Sequence, residues 1–316
     1  MSALMFSLSF LFKLTLVYFA PVFLAVMLGD AFRLRGIKRP LRRIIFLGLL
    51  VACTIALVVA PFLFHCDSIS CLRDQVSSVL QRIFPVHRRI FEDYVANFWI
   101  IISPIFNLRR ATSETLRICG YVSAIATIGG FLECFWYMMR RPNKETMAIS
   151  LAATSMSFYL FSWMVHEKAI ALPMTALLVG APVLMKTGDM WIMCRLYEAG
   201  VLSLWQLIRI EGSEFGAVGI TGFGLVALYA LQDAYQGHLT SLKTYLNYSC
   251  SLCNALAFIG ALLQSFTPSM QSLPFLWVLL TCVGCFGTFV IIWRQLIRIV
   301  RTESLHSIAP LHKKSK

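Results

Sequence analysis

Long apolar stretches alternate with short polar ones along this chain, and each is far longer than a strand needs. A bilayer span takes about 20 mostly apolar residues. Nine stretches meet that requirement: 4–28, 44–64, 118–139, 147–165, 169–185, 190–209, 215–235, 248–266 and 273–293. The runs are continuous rather than alternating, which predicts helices and not a membrane barrel. The expected fold is an all-α polytopic membrane protein, one membrane domain over residues 1–316 with about nine spans.

Composition strengthens this reading: 58% of residues are hydrophobic and only 14% charged, against about 25% charged in soluble domains. The formal net charge of +13 does not point to nucleic acid, because the basic residues fall between and after the spans. They group as Arg33, Arg35, Lys38, Arg39, Arg42 and Arg43; as Arg140, Arg141 and Lys144; and as Arg294, Arg298, Arg301, Lys313, Lys314 and Lys316. The positive-inside rule places all three groups in the cytosol. Nine spans satisfy it if the chain starts on the lumenal side and residues 294–316 form a cytosolic tail. Residues 1–28 carry no basic region before their apolar run and have Lys13 in its middle. They make a poor secretory signal and fit an internal span of a longer membrane protein. Lys313 and Lys314, third and fourth from the end of the chain, resemble a dilysine signal for retrieval to the endoplasmic reticulum. The alternative is a basic tail on anionic membrane lipid.

The longest non-spanning stretch, 65–117, is lumenal on this topology. Its segment from Phe84 to Trp99 mixes aromatic, aliphatic and charged residues, and Ile100 to Leu108 is too short to span. An interfacial or re-entrant helix is expected there, since a tenth span would break the charge parity. Gly216, Gly219, Gly222 and Gly224 are expected at close helix contacts. Cys250/Cys253 and Cys282/Cys285 share helix faces inside spans and read as inert thiols. Cys66 and Cys71 lie in the lumenal loop, where a disulfide is permitted. The sequon Asn247-Tyr248-Ser249 falls on the cytosolic side and is expected to carry no glycan. No Walker, dinucleotide-binding or zinc spacing occurs, so no cofactor or metal is expected.

Candidate chemistry centres on Val165-His166-Glu167-Lys168, which separates two apolar runs. A charge at the bilayer centre costs about 2.5–3.5 kcal/mol, so such a cluster belongs at the interface or in a polar cavity. His166 can shuttle a proton or, charged, donate to phosphate. Lys168 can bind phosphate as a point charge, and Glu167 can orient either or accept from a sugar hydroxyl. The plainer alternative is a solvated lumenal hairpin. Arg88 and Arg89 face Glu92 and Asp93 at helical i, i+4 spacing. They either neutralise one another or grip an anionic headgroup while a carboxylate orients a sugar. Lys13 either snorkels or lines a cavity that holds an anion. Arg195 and Glu198, at i, i+3, read as a structural pair; Glu133 has no assigned role.

Three strings resemble a known family, the dolichyl-phosphate-glucose glucosyltransferases of the endoplasmic reticulum. They are Ser2-Ala3-Leu4 with Lys13 and Tyr18-Phe19-Ala20-Pro21; Phe84-Pro85 to Phe98-Trp99, with Phe91-Glu92-Asp93 and Val95-Ala96-Asn97; and Phe161-Ser162-Trp163-Met164-Val165-His166-Glu167-Lys168-Ala169-Ile170. They occur in family order. The likeness covers nearly the whole chain, more weakly after about residue 210, and matches the C-terminal part of the family only. Phe91 to Asn97 is similar to the enzyme that adds the first glucose; Trp163 and Ala169 lean toward the one that adds the second.

The resemblance implies a GT-C type membrane bundle and inverting transfer of glucose. The donor would be dolichyl phosphate glucose, and the acceptor the mannose-rich dolichyl-diphosphate oligosaccharide, in alpha-1,3 linkage. A carboxylate must take the acceptor proton, and cationic groups must stabilise the departing phosphate. A monophosphate leaving group can be served by Lys, Arg and His, without a metal. The resemblance puts His166, Glu167 and Lys168 at the reaction, with Lys13, Arg88, Arg89, Glu92 and Asp93 toward substrate. The family's acidic lumenal loop, which carries its general base, lies upstream of any residue here. The 316 residues alone are therefore expected not to transfer glucose. Other classes remain open: a transporter or lipid-binding protein using the same charges, or a non-catalytic subunit.

Overall fold

The computed structural model describes residues 2–62, 68–83, 95–106, 108, 111–163, 165–235, 240–266 and 275–306, and they are helical with no strand. They fall into two compact units, 1–89 and 90–316.

In the first unit, the apolar run expected as one span over 4–28 is broken. Helix α1 (Ser2–Phe12) ends at Lys13, whose backbone is extended at φ −139° and ψ 106°. A 3₁₀ turn over Leu14–Phe19 leads into α2 (Ala20–Phe32), with a proline in its first turn. A proline is tolerated there because its missing N–H would be unpaired anyway. Lys13 thus sits at a helix boundary with its side chain exposed, not mid-span. Phe6 stacks on Phe23 across the break, with ring centroids 4.3 Å apart. Both helices pack on α3 (Lys38–Val59). Helix α4 (Ile69–Ile83) follows.

The second unit is a bundle of α5 (Phe98–Phe106), α6 (Ser113–Arg140), α7 (Lys144–Phe161), α8 (Ala171–Thr187), α9 (Trp191–Ser203), α10 (Trp205–Ile210), α11 (Glu214–Ala234), α12 (Ser241–Phe266) and α13 (Leu276–His306). Helix α7 is its centre, packed by α6, α8 and α13. Helix starts are specified locally: Thr112 caps α6 through the Thr115 amide, and Asn143 caps α7 through the Glu145 amide. The buried face of α7 is small and hydroxylated. Ser150, Ser155 and Ser157 donate back to carbonyls of their own helix. Small residues let helices approach closely where lipid supplies no hydrophobic drive. A Cβ on Gly180 would meet Ile149 of α7 at 2.7 Å, and one on Gly284 of α13 would meet Ala257 of α12.

Seven helical stretches are long and apolar enough to cross a membrane: 14–32, 38–59, 113–140, 167–187, 214–234, 241–266 and 276–304. The other two expected spans, 147–165 and 190–209, coincide with α7 and with α9 and α10. Helix α7 is shielded by neighbours and carries hydroxyls where lipid-facing helices carry leucine. Helix α9 has 13 residues and bends at Leu204 into α10. The glycine expectation needs correction. Gly216, Gly219 and Gly222 of α11 face open space, and only Gly224 is closely packed, against the ring of Tyr197.

Charges separate to opposite ends of the bundle. At one end Lys186 pairs with Glu145 at 3.3 Å and Glu303 at 3.1 Å, and Arg141 donates to the Ser304 carbonyl at 3.1 Å. Helix α7, about 27 Å long, carries the chain from there to the His166 turn.

Candidate functional site

The site begins where α7 stops. The last carbonyls of a helix lack intrahelical partners. The Phe161 carbonyl accepts from the Trp99 indole N–H at 2.8 Å and from the Ser123 hydroxyl at 2.9 Å. Ser162 turns extended, at φ −70° and ψ 148°, and its hydroxyl lies 3.2 Å from that of Thr127. Trp163 packs edge-on against Trp99, with centroids 4.5 Å apart. Three hydrogen bonds and a ring contact from α5 and α6 therefore fix the chain leaving α7.

Val95, Ala96 and Asn97 are buried, and Asn97 accepts from the Ile100 amide at 3.1 Å, which caps α5. Helix α5 has nine residues, about 13 Å, too short to span. It packs against α7 and α13.

His166 is extended and precedes a 3₁₀ turn, Glu167–Ile170, that opens into α8. Its Nδ1 lies 3.0 Å from Glu167 Oε2. The two environments differ sharply: the His166 side chain is 60% exposed and that of Glu167 only 11%. A buried carboxylate on Nδ1 fixes the ring plane and the tautomer. That arrangement can move a proton or, with the ring charged, hold an anionic oxygen. Lys168 Nζ lies 3.8 Å from Glu211 Oε1, both side chains exposed. Glu211 ends α10, just before Gly212, whose φ of +65° makes the turn. Nothing in the sequence singled out Glu211, because its approach to Lys168 depends on how α10 packs.

The structure thus brings together His166 and Glu167, with Lys168 adjacent and Glu211 added. Lys13 belongs to the other unit. Arg88, Arg89, Glu92 and Asp93 lie outside the described residues, as do Cys66 and the 313–316 tail. Arg195 and Glu198 form the expected structural pair, at 2.9 Å. Around them Arg195 donates to Asn247 at 2.8 Å and Tyr229 at 2.7 Å, while Asn254 donates to Glu198 at 2.8 Å. The sequon residue Asn247 is therefore an acceptor inside α12. Glu133 pairs with Arg301 at 3.7 Å.

The sequence profile of the ALG6, ALG8 glycosyltransferase family matches residues 1–295. The chain belongs to that family. Among its relatives, the dolichyl pyrophosphate Man9GlcNAc2 alpha-1,3-glucosyltransferase of Saccharomyces cerevisiae is 32% identical over 67% of this chain and 37% of its own length. A probable enzyme of the same name from Schizosaccharomyces pombe is 28% identical over 91% of this chain and 53% of its own. One from Dictyostelium discoideum is 30% identical over 96% and 60%. The chain thus spans between about a third and three-fifths of these relatives. In the family context, the Trp99 and Trp163 strings that carried the resemblance prove to be packed on each other.

Proposed function

We propose that the chain is part of a glucosyltransferase of the endoplasmic-reticulum membrane. It would transfer glucose from dolichyl phosphate glucose to the dolichyl-diphosphate oligosaccharide with inversion, making the alpha-1,3 linkage of the first glucose. The observation that carries this reading is the family match over residues 1–295 together with the His166–Glu167 pair on a pinned turn. The relatives' names supply the acceptor and the linkage. In this reading His166 meets the donor phosphate or the acceptor, Glu167 orients it, and Lys168 adds positive charge for the leaving phosphate. Lys13, Arg88, Arg89, Glu92 and Asp93 are proposed to contact substrate, and a carboxylate outside these groups takes the acceptor proton. The topology proposed is a lumenal His166 turn and a cytosolic C-terminus.

Disrupting the gene tests the proposal through the lipid-linked oligosaccharides that remain. Accumulation of the nine-mannose species without glucose is expected. Accumulation of the one-glucose species would assign the chain to the second transfer instead. An unaltered profile would overturn the proposal.

A further inference from the structure

Helices α6 and α13 pack on each other, and α13 turns a basic stripe toward their shared seam. Arg294, Arg298 and Arg301 recur at i, i+4 and i+7 on α13, one face of a helix, and all three are exposed. On α6, Glu133 pairs with Arg301 at 3.7 Å. One turn on, Trp136 is 46% exposed, and the Arg140 guanidinium lies over its ring at 4.2 Å. Exposed tryptophan with basic neighbours marks the level where bilayer meets water.

Helix α13 runs past 293, where the cytosolic tail was expected to begin, to His306, so Arg294 lies within it, seven residues before Arg301 and about 10 Å deeper. It leans over Trp293, its Cζ 5.6 Å from the ring, and that indole is fixed by donating to Ser157 at 2.8 Å. Neither Arg294 nor Arg298 has a carboxylate partner among the described residues. The nearby acids are engaged: Glu133 with Arg301, and Glu145 and Glu303 with Lys186. Two exposed guanidinium groups below the interface, without counter-ions, carry an insertion cost. A phosphate oxygen drawn down between them offsets it, because guanidinium binds phosphate through two parallel hydrogen bonds.

We propose that this seam binds the phosphate of an anionic phospholipid, with Arg294 and Arg298 as ligands and Trp136 and Arg140 at its outer rim. The deep end of the seam approaches the His166 turn, since Trp293 beside Arg294 packs on Phe161 at 5.2 Å, whereas Trp136 and Arg140 lie toward the other end; the inference does not rest on the proposed transfer reaction. The lipid's acyl chains would lie along the exposed faces of α6 and α13.

The test is native mass spectrometry of the protein released from nanodiscs of phosphatidylcholine containing phosphatidylserine. The wild type should retain phosphatidylserine, and R294Q/R298Q should retain about tenfold less, the loss of roughly one good contact. R42Q/R43Q, which removes equal charge from α3, should retain it fully. To keep the test independent of how the double variant folds, a photoactivatable phosphatidylserine is applied to the wild type as well. It should label peptides containing 133–140 and 290–301. Equal retention by R294Q/R298Q, or labelling confined elsewhere, would overturn the proposal. So would protection of these arginines from a guanidine-modifying reagent by inorganic phosphate but not by the lipid, which would make free phosphate the ligand.

Discussion

The indole N–H of Trp99 donates to the carbonyl of Phe161 at 2.8 Å, across 62 residues of sequence. That single bond joins the α5 segment to the turn that presents His166. Val95, Ala96 and Asn97, which lead into α5 just ahead of Trp99 in sequence, are buried.

Replacing Trp99 with Phe keeps most of the ring packing against Trp163 and removes the donor. Ser123 still bonds the carbonyl, so the expected stability loss is about 1 kcal/mol. Glucose transfer should fall more than that loss explains, because the His166 turn is released. Thermal melts in detergent, paired with initial rates, separate the two effects. A rate that tracks only the amount of folded protein would remove Trp99 as a positioning residue.

Glu167 is a buried carboxylate whose visible task is to hold His166 Nδ1. Glu167→Gln keeps the size and can still hydrogen-bond, but loses the charge. Transfer is expected to fall by about 10- to 100-fold, a share of what positioned proton transfer contributes, with protein abundance little changed. An unaltered rate at normal abundance would leave the pair without a catalytic purpose.

The exposed pair of Lys168 and Glu211 makes a contrasting case. At 3.8 Å with both side chains largely in solvent, it should contribute only about 0–1 kcal/mol. Glu211→Gln should leave the melting temperature nearly unmoved, whereas Lys168→Ala should lower the rate at limiting donor. If both variants behave alike, Lys168 acts through its salt bridge and not through phosphate.

Arg195 and Glu198 are 15% and 16% exposed. Arg195→Met would strand Glu198 with only Asn254 and Tyr229 for partners, at a cost of about 3 kcal/mol. Removing both charges, as R195M/E198L, should recover most of that loss. A double variant as unstable as the single one would show that the surrounding hydrogen bonds, rather than charge pairing, dominate.

The helical class and the positions of most helices were legible in the sequence because they rest on local signals. Apolar run length marks membrane helices. Less could be read where a tertiary contact decides. Lys13 reads as lying inside one span because hydropathy averages over a charge; the chain breaks there and resumes as an α-helix only at Ala20, with Pro21 in its first turn. Helix α7 reads as a span from its run length, whereas its place among α6, α8 and α13 is a tertiary fact that run length does not carry. The α11 glycines passed for packing sites because their spacing suits one, yet only Gly224 meets a neighbour. The Trp99–Phe161 bond and the approach of Glu211 to Lys168 had no local signature at all. They depend on how α5 and α10 pack.

The most direct test of the central claim is the rate of glucose transfer to the nine-mannose lipid acceptor, in microsomes whose only enzyme of this family carries His166→Ala. The account predicts normal protein abundance and a rate lowered by about 100-fold or more, the scale of a lost proton-transfer or phosphate-binding group. A wild-type rate in that variant would contradict it.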